Sequence, residues 1–257
     1  MPASTRLRLV DGEAGSYSLR SQKKMADLNS IILIGFYIII LIYSIIIHEV
    51  AHGLVAFWLG DSTAKYAGRL NLNPVKHIDI WGSIIVPIAM FVTTGFAFGW
   101  AKPVPYNPYN LKDQKWGPLM VALGGPGSNI FISLVAAVIA KMIPISVAVK
   151  SAIIFGVAGT SWQQVSEAVS NSFGSIFFAL LMIVIFWNVL LAFFNLIPFP
   201  PLDGSKILFT FFPISTEKMI AMEQYGFIFL VLFIMIFSTP LGIFLNFMLK
   251  IFFNLAI

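Results

Sequence analysis

The chain has 257 residues, of which 58% are hydrophobic and 11% charged, with a formal net charge of +5 and no cysteine. A mean hydropathy of +0.89 lies well outside the soluble range; it indicates a helical protein with several membrane spans and no room for a large soluble domain. No basic stripe supports nucleic-acid binding, the positive excess fits loops near lipid headgroups, and the lack of cysteine removes both disulfides and soft thiolate ligands.

Residues 1–29 are polar and include Arg6, Arg8, Arg20, Lys23 and Lys24. They lack the apolar core and cleavage pattern of a signal peptide and read as a flexible, solvated N-terminal tail. Residues 30–257 read as one membrane-embedded domain. Its first span is Ile31 to Leu59, about 40 Å long at ~1.5 Å per residue, so it is tilted or protrudes.

Within that span the only formally charged residue is Glu49, flanked by His48 and His52. Ionisable side chains at this depth cost several kcal/mol unless partnered, so three together need a reason. Residues i and i+4 share a helix face, and both imidazoles can therefore reach one cation. His48-Glu49-Val50-Ala51-His52 is an HExxH arrangement: two histidine ligands and a glutamate free to act as general base on a metal-bound water. Zinc is the expected metal, one ion, about 15 Å inside the C-terminal end of the span. The bland alternative is a set of buried side chains that only hydrogen-bond neighbouring helices.

Gly60 to Ile80 changes to short alternating runs ended by Asn73-Pro74, which reads as a small hairpin or edge strand, or equally as an ordinary loop. A free strand edge there could hold an unwound peptide. His77 and Asp79 are left outside the site, as loop residues. Trp81 to Trp100 is apolar but broken by Pro87, Gly95 and Gly99, and Pro103, Pro105 and Pro108 make the following stretch extended.

Trp116 to Ile139 is a span containing Gly124-Gly125-Pro126-Gly127-Ser128-Asn129. The glycines permit close helix approach. Asn129 could polarise a substrate carbonyl or hold a developing oxyanion, or could simply bond a neighbouring helix. Ile145 to Gly159 is short for a crossing and is read as interfacial. Ser175 to Ile197 is a strong span ending in Asn195-Leu196-Ile197-Pro198-Phe199-Pro200-Pro201-Leu202-Asp203-Gly204. The prolines break the helix and free backbone groups that must line a cavity or find partners. Asp203 sits at that break and is the natural third zinc ligand, its alternative being a helix cap. Tyr225 to Phe237 and Leu241 to Phe253 form one or two closing spans.

These elements resemble the site-2 protease family of intramembrane zinc metalloproteases, in a compact form without PDZ or CBS domains. The likeness rests on His48 to His52, the GxxxN element Gly125 to Asn129 and the Asn195 to Gly204 stretch, with Leu70 to Pro74 and Gly99 to Pro105 in support. It extends over roughly Ser30 to Leu255. The resemblance implies His48, His52 and Asp203 as zinc ligands, Glu49 as catalytic base and Asn129 as a substrate or oxyanion contact. It also implies a multi-pass protein of a prokaryotic cell membrane, with its active site towards the cytoplasm. Its substrates would be single-span membrane proteins, often anti-sigma factors or similar regulators, cut in or near their transmembrane segments.

The expected fold is an all-α polytopic bundle of about five or six transmembrane or re-entrant helices with a small β hairpin or edge strand near the site. For His48 and Asp203 to share an ion their two spans must run the same way, which favours a re-entrant Trp81 to Trp100. The competing function is a non-catalytic zinc-binding or transport protein using the same ligands. Transport would string ionisable groups along a path through the bilayer, whereas Glu49 and Asp203 cluster at one depth.

Overall fold

A chain this apolar satisfies its backbone in lipid by closing the amides within helices. The computed structural model is helical throughout its ordered elements and describes residues 3–94, 99–169, 172–212 and 214–257. In chain order come α1 (Ala3–Trp58), α2 (Thr63–Tyr66), a 3-10 turn at Pro74–His77, a π turn at Ile80–Ile85 and α3 (Val86–Thr94). After a 3-10 turn at Pro108–Asn110 follow α4 (Gly117–Lys141), α5 (Val147–Ala158), α6 (Trp162–Val169) and α7 (Phe173–Asn195). The chain closes with α8 (Ser205–Phe211), α9 (Thr216–Gln224) and α10 (Gly226–Leu255).

Among the described residues, four segments are long and apolar enough to cross a membrane: Asp27–Trp58, Gly117–Lys141, Phe173–Asn195 and Gly226–Leu255. The last unites the two predicted closing pieces. Pro240 offers no N–H to the carbonyl four residues back and crowds it, and the helix is kinked, not ended, at Phe237 (φ −105°, ψ 19°).

Contacts at the two ends of the bundle set its direction. Ser30 Oγ, early in α1, donates to Trp162 O of α6 at 3.3 Å, while His52, late in α1, meets Val121 O in the first turns of α4 at 2.7 Å. Hence α4 runs antiparallel to α1. Asn188 of α7 lies level with Ser44 of α1, its Nδ2 donating to Ser44 Oγ at 2.9 Å. With α6 beside the start of α1 and Asp203 beside its later part, α7 runs parallel to α1. On the face opposite the histidines, Lys150 Nζ donates to Ala140 O and Lys141 O at 3.3 Å and to Ala256 O at 3.4 Å, joining the C-terminal ends of α4 and α10.

Among the described residues, only α4 therefore crosses fully between α1 and α7. The Trp81 to Trp100 segment returns to the face it left: Trp100 N–H donates to Gly82 O at 3.0 Å, and Ser83 Oγ donates to Trp100 O at 2.9 Å. Gly82 permits this return, since a Cβ there would fall on the Trp100 indole. Gly95, one of the predicted interruptions, lies outside the described residues. Helices α5 and α6, of 12 and 8 residues, are too short to cross. They form a hairpin whose Ile153, Val157 and Val165 pack with Phe178, Met182 and Ile185 of α7 and Ala136, Ala137 and Ala140 of α4 in the main buried cluster.

The expected β hairpin is absent; no strand occurs among the described residues. In Gly60 to Ile80 the backbone groups a partner strand would need are taken locally. Asn71 Oδ1 accepts from Asn73 N–H at 3.0 Å, Asn73 Oδ1 from Val75 N–H at 3.1 Å, and His77 Nε2 donates to Asn71 O at 2.9 Å. The extended stretch before Pro108 forms no ladder either. Pro103 and Pro105 have no donor on one edge. On the other, Lys102 N–H is spent on His77 O at 3.0 Å and Val104 N–H on a side chain of α1.

Candidate metal centre

The i, i+4 spacing in α1 brings His48 and His52 to the face that meets α4 and the end of α7, with ring centroids 4.6 Å apart and planes nearly perpendicular at 86°. Asp203 arrives from the loop after α7. Its Oδ2 lies 3.1 Å from His48 Nε2 and 3.3 Å from His52 Nε2. One ligand atom from each residue can be chosen so that all three lie within 4.8 Å of one another.

The loop that delivers Asp203 is closed by Gly204 N–H donating to Asn195 O at 2.7 Å. A Cβ on Gly204 would strike the carbonyls of Leu196 and Ile197. The glycine after the aspartate is thus a steric requirement for the turn that points Asp203 at the histidines. Burial opposes ionisation of Asp203, but the hydrogen bonds from His48 and His52 and their charge outweigh it and hold its carboxyl at about 2. It is a carboxylate at neutral pH.

Both imidazoles are oriented from behind. His52 Nδ1 sits 2.7 Å from Val121 O, an atom that can only accept, so Nδ1 carries a proton and Nε2 is the nitrogen left to bind an ion. His48 Nδ1 sits 2.5 Å from Asn129 Oδ1 with the same consequence. The space between the two Nε2 atoms opens on Gly125 of α4, where a Cβ would lie 2.6 Å from His48 Nε2 and closer still to His52 Nε2. Two imidazoles and a carboxylate around a cradle kept clear by a glycine fit a zinc ion with one position open to solvent or substrate.

Glu49 stands beside this group without joining it. Its Oε2 accepts Val104 N–H at 2.8 Å, so the extended stretch holds the carboxylate. That stretch is braced in turn by Arg69, whose Nη2 donates to Lys102 O at 2.6 Å. Arg69 and His77 are both buried. His77 belongs to this brace, and Asp79 caps the turn that follows by accepting from Trp81 and Gly82 N–H; neither enters the metal group.

Asn129 is fully buried. Its Oδ1 serves His48, and its Nδ2 donates to Asn188 Oδ1 at 2.6 Å and to Ser44 O at 3.3 Å. The structure therefore brings His48, His52, Asp203 and Asn129 together, with Glu49 alongside. Sequence reasoning passed over Ser44, Asn188 and the Val104 N–H. Asn188 carried a signal, being a lone amide within the apolar run from Ser175 to Phe194.

Comparison with known proteins agrees with this geometry. The family described as "Peptidase family M50" matches residues 36–239. A protein of Bacillus subtilis (strain 168) named "Putative zinc metalloprotease YwhC" is 34% identical over 211 residues, covering 82% of this chain and 83% of its own length. "Putative zinc metalloprotease Rip2" of Mycolicibacterium smegmatis is 22% identical over 202 residues, covering 77% of this chain and 67% of its own. No solved structure matches. With most of its length inside that family match and a 34% identical relative over most of both chains, the protein belongs to peptidase family M50, the site-2 protease family, and is a multi-pass membrane zinc metalloprotease.

Proposed function

We propose that this metalloprotease hydrolyses peptide bonds in or next to the transmembrane segments of single-span membrane proteins, at one zinc ion held by His48, His52 and Asp203. The observation that carries the reading is depth: His48 lies about 15 Å along α1 from its Trp58 end, inside a candidate span. A protease acting only on soluble chains has no use for ligands placed there, where burying them is costly.

When bound, zinc supplies Lewis acidity, polarising the scissile carbonyl and making water a nucleophile near neutral pH. The protein's own groups do the rest. Glu49 receives the proton of the attacking water and returns it to the leaving amine. The Val104 N–H keeps one carboxylate oxygen occupied, leaving the other for the proton. Asn129 has both amide hydrogens engaged on Asn188 and Ser44, so we assign it to orienting His48 and not to direct contact with the substrate carbonyl. A helical substrate must unwind before its carbonyl is exposed, and the face bearing Gly60 to Trp116 and the Asp203 loop is where it would enter. We place that face towards the cytoplasm.

Glu49→Gln tests the assignment. The variant is expected to keep its zinc and to lose cleavage of a co-expressed single-span membrane protein. Wild-type cleavage by Glu49→Gln would remove the base. Product ends mapping far outside the transmembrane region would remove the intramembrane reading.

A further inference from the structure

We infer that Asn188 is a positioning residue for the metal centre, fixing through Asn129 which nitrogen of His48 is free to bind the ion. The inference rests on the ligand assignment above. His48 can offer Nε2 to a metal only while its proton sits on Nδ1, and that requires an acceptor behind the ring. The group behind it is an amide, Asn129, which could present either end: Oδ1 accepts from Nδ1–H, whereas Nδ2 would donate to a bare Nδ1 and drive the proton to the metal side.

What breaks the symmetry is the next residue out. Asn188 is fully buried on α7. Its Nδ2 donates to Val184 O at 2.9 Å and to Ser44 Oγ at 2.9 Å. A backbone carbonyl can only accept, so the amide nitrogen of Asn188 must stay on that side and its Oδ1 must face Asn129. Asn129 is thereby obliged to present Nδ2 to Asn188, at 2.6 Å, and Oδ1 to His48, at 2.5 Å. The second hydrogen of Asn129 Nδ2 points the same way, to Ser44 O at 3.3 Å. Polarity thus passes from fixed backbone carbonyls of α7 and α1, through two side-chain amides, to the lone pair of a ligand.

Ser44 sits one turn before His48 in α1, Asn129 in α4 and Asn188 in α7, so the relay also joins the three helices packed around the candidate centre. A buried amide chain of this kind is stable only when every member is satisfied. Replacing Asn188 with an apolar residue leaves Asn129 Nδ2 without its strongest acceptor and allows the Asn129 amide to turn over. Replacing it with aspartate keeps an acceptor towards Asn129 in an isosteric frame. If protonated, the new side chain also keeps a donor towards Val184 O.

The test is zinc affinity, measured by chelator competition on the full chain in detergent. Compared are wild type, Asn188→Leu, Asn188→Asp, Asn129→Ala, the Asn129→Ala/Asn188→Leu double variant, the packing control Val189→Ala and the ligand control His48→Ala. Loss of an outer partner of a metal-binding histidine weakens binding roughly 10–100-fold. Asn188→Leu should lose affinity in that range, Asn188→Asp and Val189→Ala should stay close to wild type, and the double variant should be no weaker than Asn129→Ala alone. Should Asn188→Leu fail to fold, Asn188→Ser, whose hydroxyl is too short to reach Asn129, is expected to show the same loss. Wild-type affinity in the folded Asn188 variants overturns the relay, as does a double variant in which the two losses multiply. Unchanged affinity in His48→Ala overturns the ligand assignment itself, so the two failures are distinguishable.

Discussion

Gly125→Ala separates the demands of the helix from those of the metal. In an exposed helix interior, alanine is favoured over glycine by about 1 kcal/mol, so on local grounds the change should stabilise α4. At this position the added Cβ would lie 2.6 Å from His48 Nε2 where ordinary contact begins at 3.4 Å, and it would press still harder on His52 Nε2. The overlap of roughly 0.8 Å falls on rings that cannot retreat freely, since His52 is tied to Val121 O and His48 to Asn129. Overpacking of this kind costs about 1–3 kcal/mol. Here it would be concentrated in the metal-bound state, because zinc sites tolerate ligand displacements of only about 0.2 Å. The expected result is zinc binding weakened roughly 5- to 150-fold, as ~1.4 kcal/mol is tenfold, with any loss of thermal stability smaller in the metal-free protein than in the zinc-bound one. Zinc content after chelator titration and detergent thermal unfolding with and without zinc measure both sides. Wild-type zinc affinity in Gly125→Ala would show that the ion does not sit between the two Nε2 atoms.

Asp61 joins the end of α1 to the stretch that holds Glu49. It accepts from Thr63 Oγ1 at 2.5 Å, Asn107 N–H at 2.7 Å, Asn110 Nδ2 at 2.9 Å and Thr63 N–H at 3.1 Å, and is fully buried. Burial works against its charge, but these bonds outweigh it and hold the carboxyl below its ordinary 3.8. Its stabilisation is therefore complete above the unfolded-state value and is lost as pH falls through the folded one. Asp61→Ala should cost about 2–3 kcal/mol and flatten the acid limb of a thermal-stability profile; an acid limb identical to wild type would refute this. Because α10 ends on the face opposite the histidines, alkaline phosphatase fused after Ile257 should be active and a fluorescent protein there dark if the site faces the cytoplasm. The reverse pattern would invert the proposed orientation.

The residues gathered at the candidate centre were legible in the sequence because each violates the rule of its surroundings. His48, Glu49 and His52 are polar groups in lipid at helical spacing, and Asp203 is a carboxylate where prolines forbid the helix to continue. The single crossing between α1 and α7 was legible for a related reason: two ligands late in their spans can meet only if those spans run parallel. The β edge was misread because alternating apolar and polar residues report a period and not a partner. Asn71, Asn73 and His77 satisfy the local backbone, and Pro103 and Pro105 remove the donors a ladder needs. Asn129 was visible as a buried amide, but its orientation depends on Asn188, a helix away, and on Val184 O, an atom every sequence has at that position. The part of the centre that selects the metal-binding nitrogen is therefore carried by hydrogen-bond direction, which residue identity constrains only once three helices are in register.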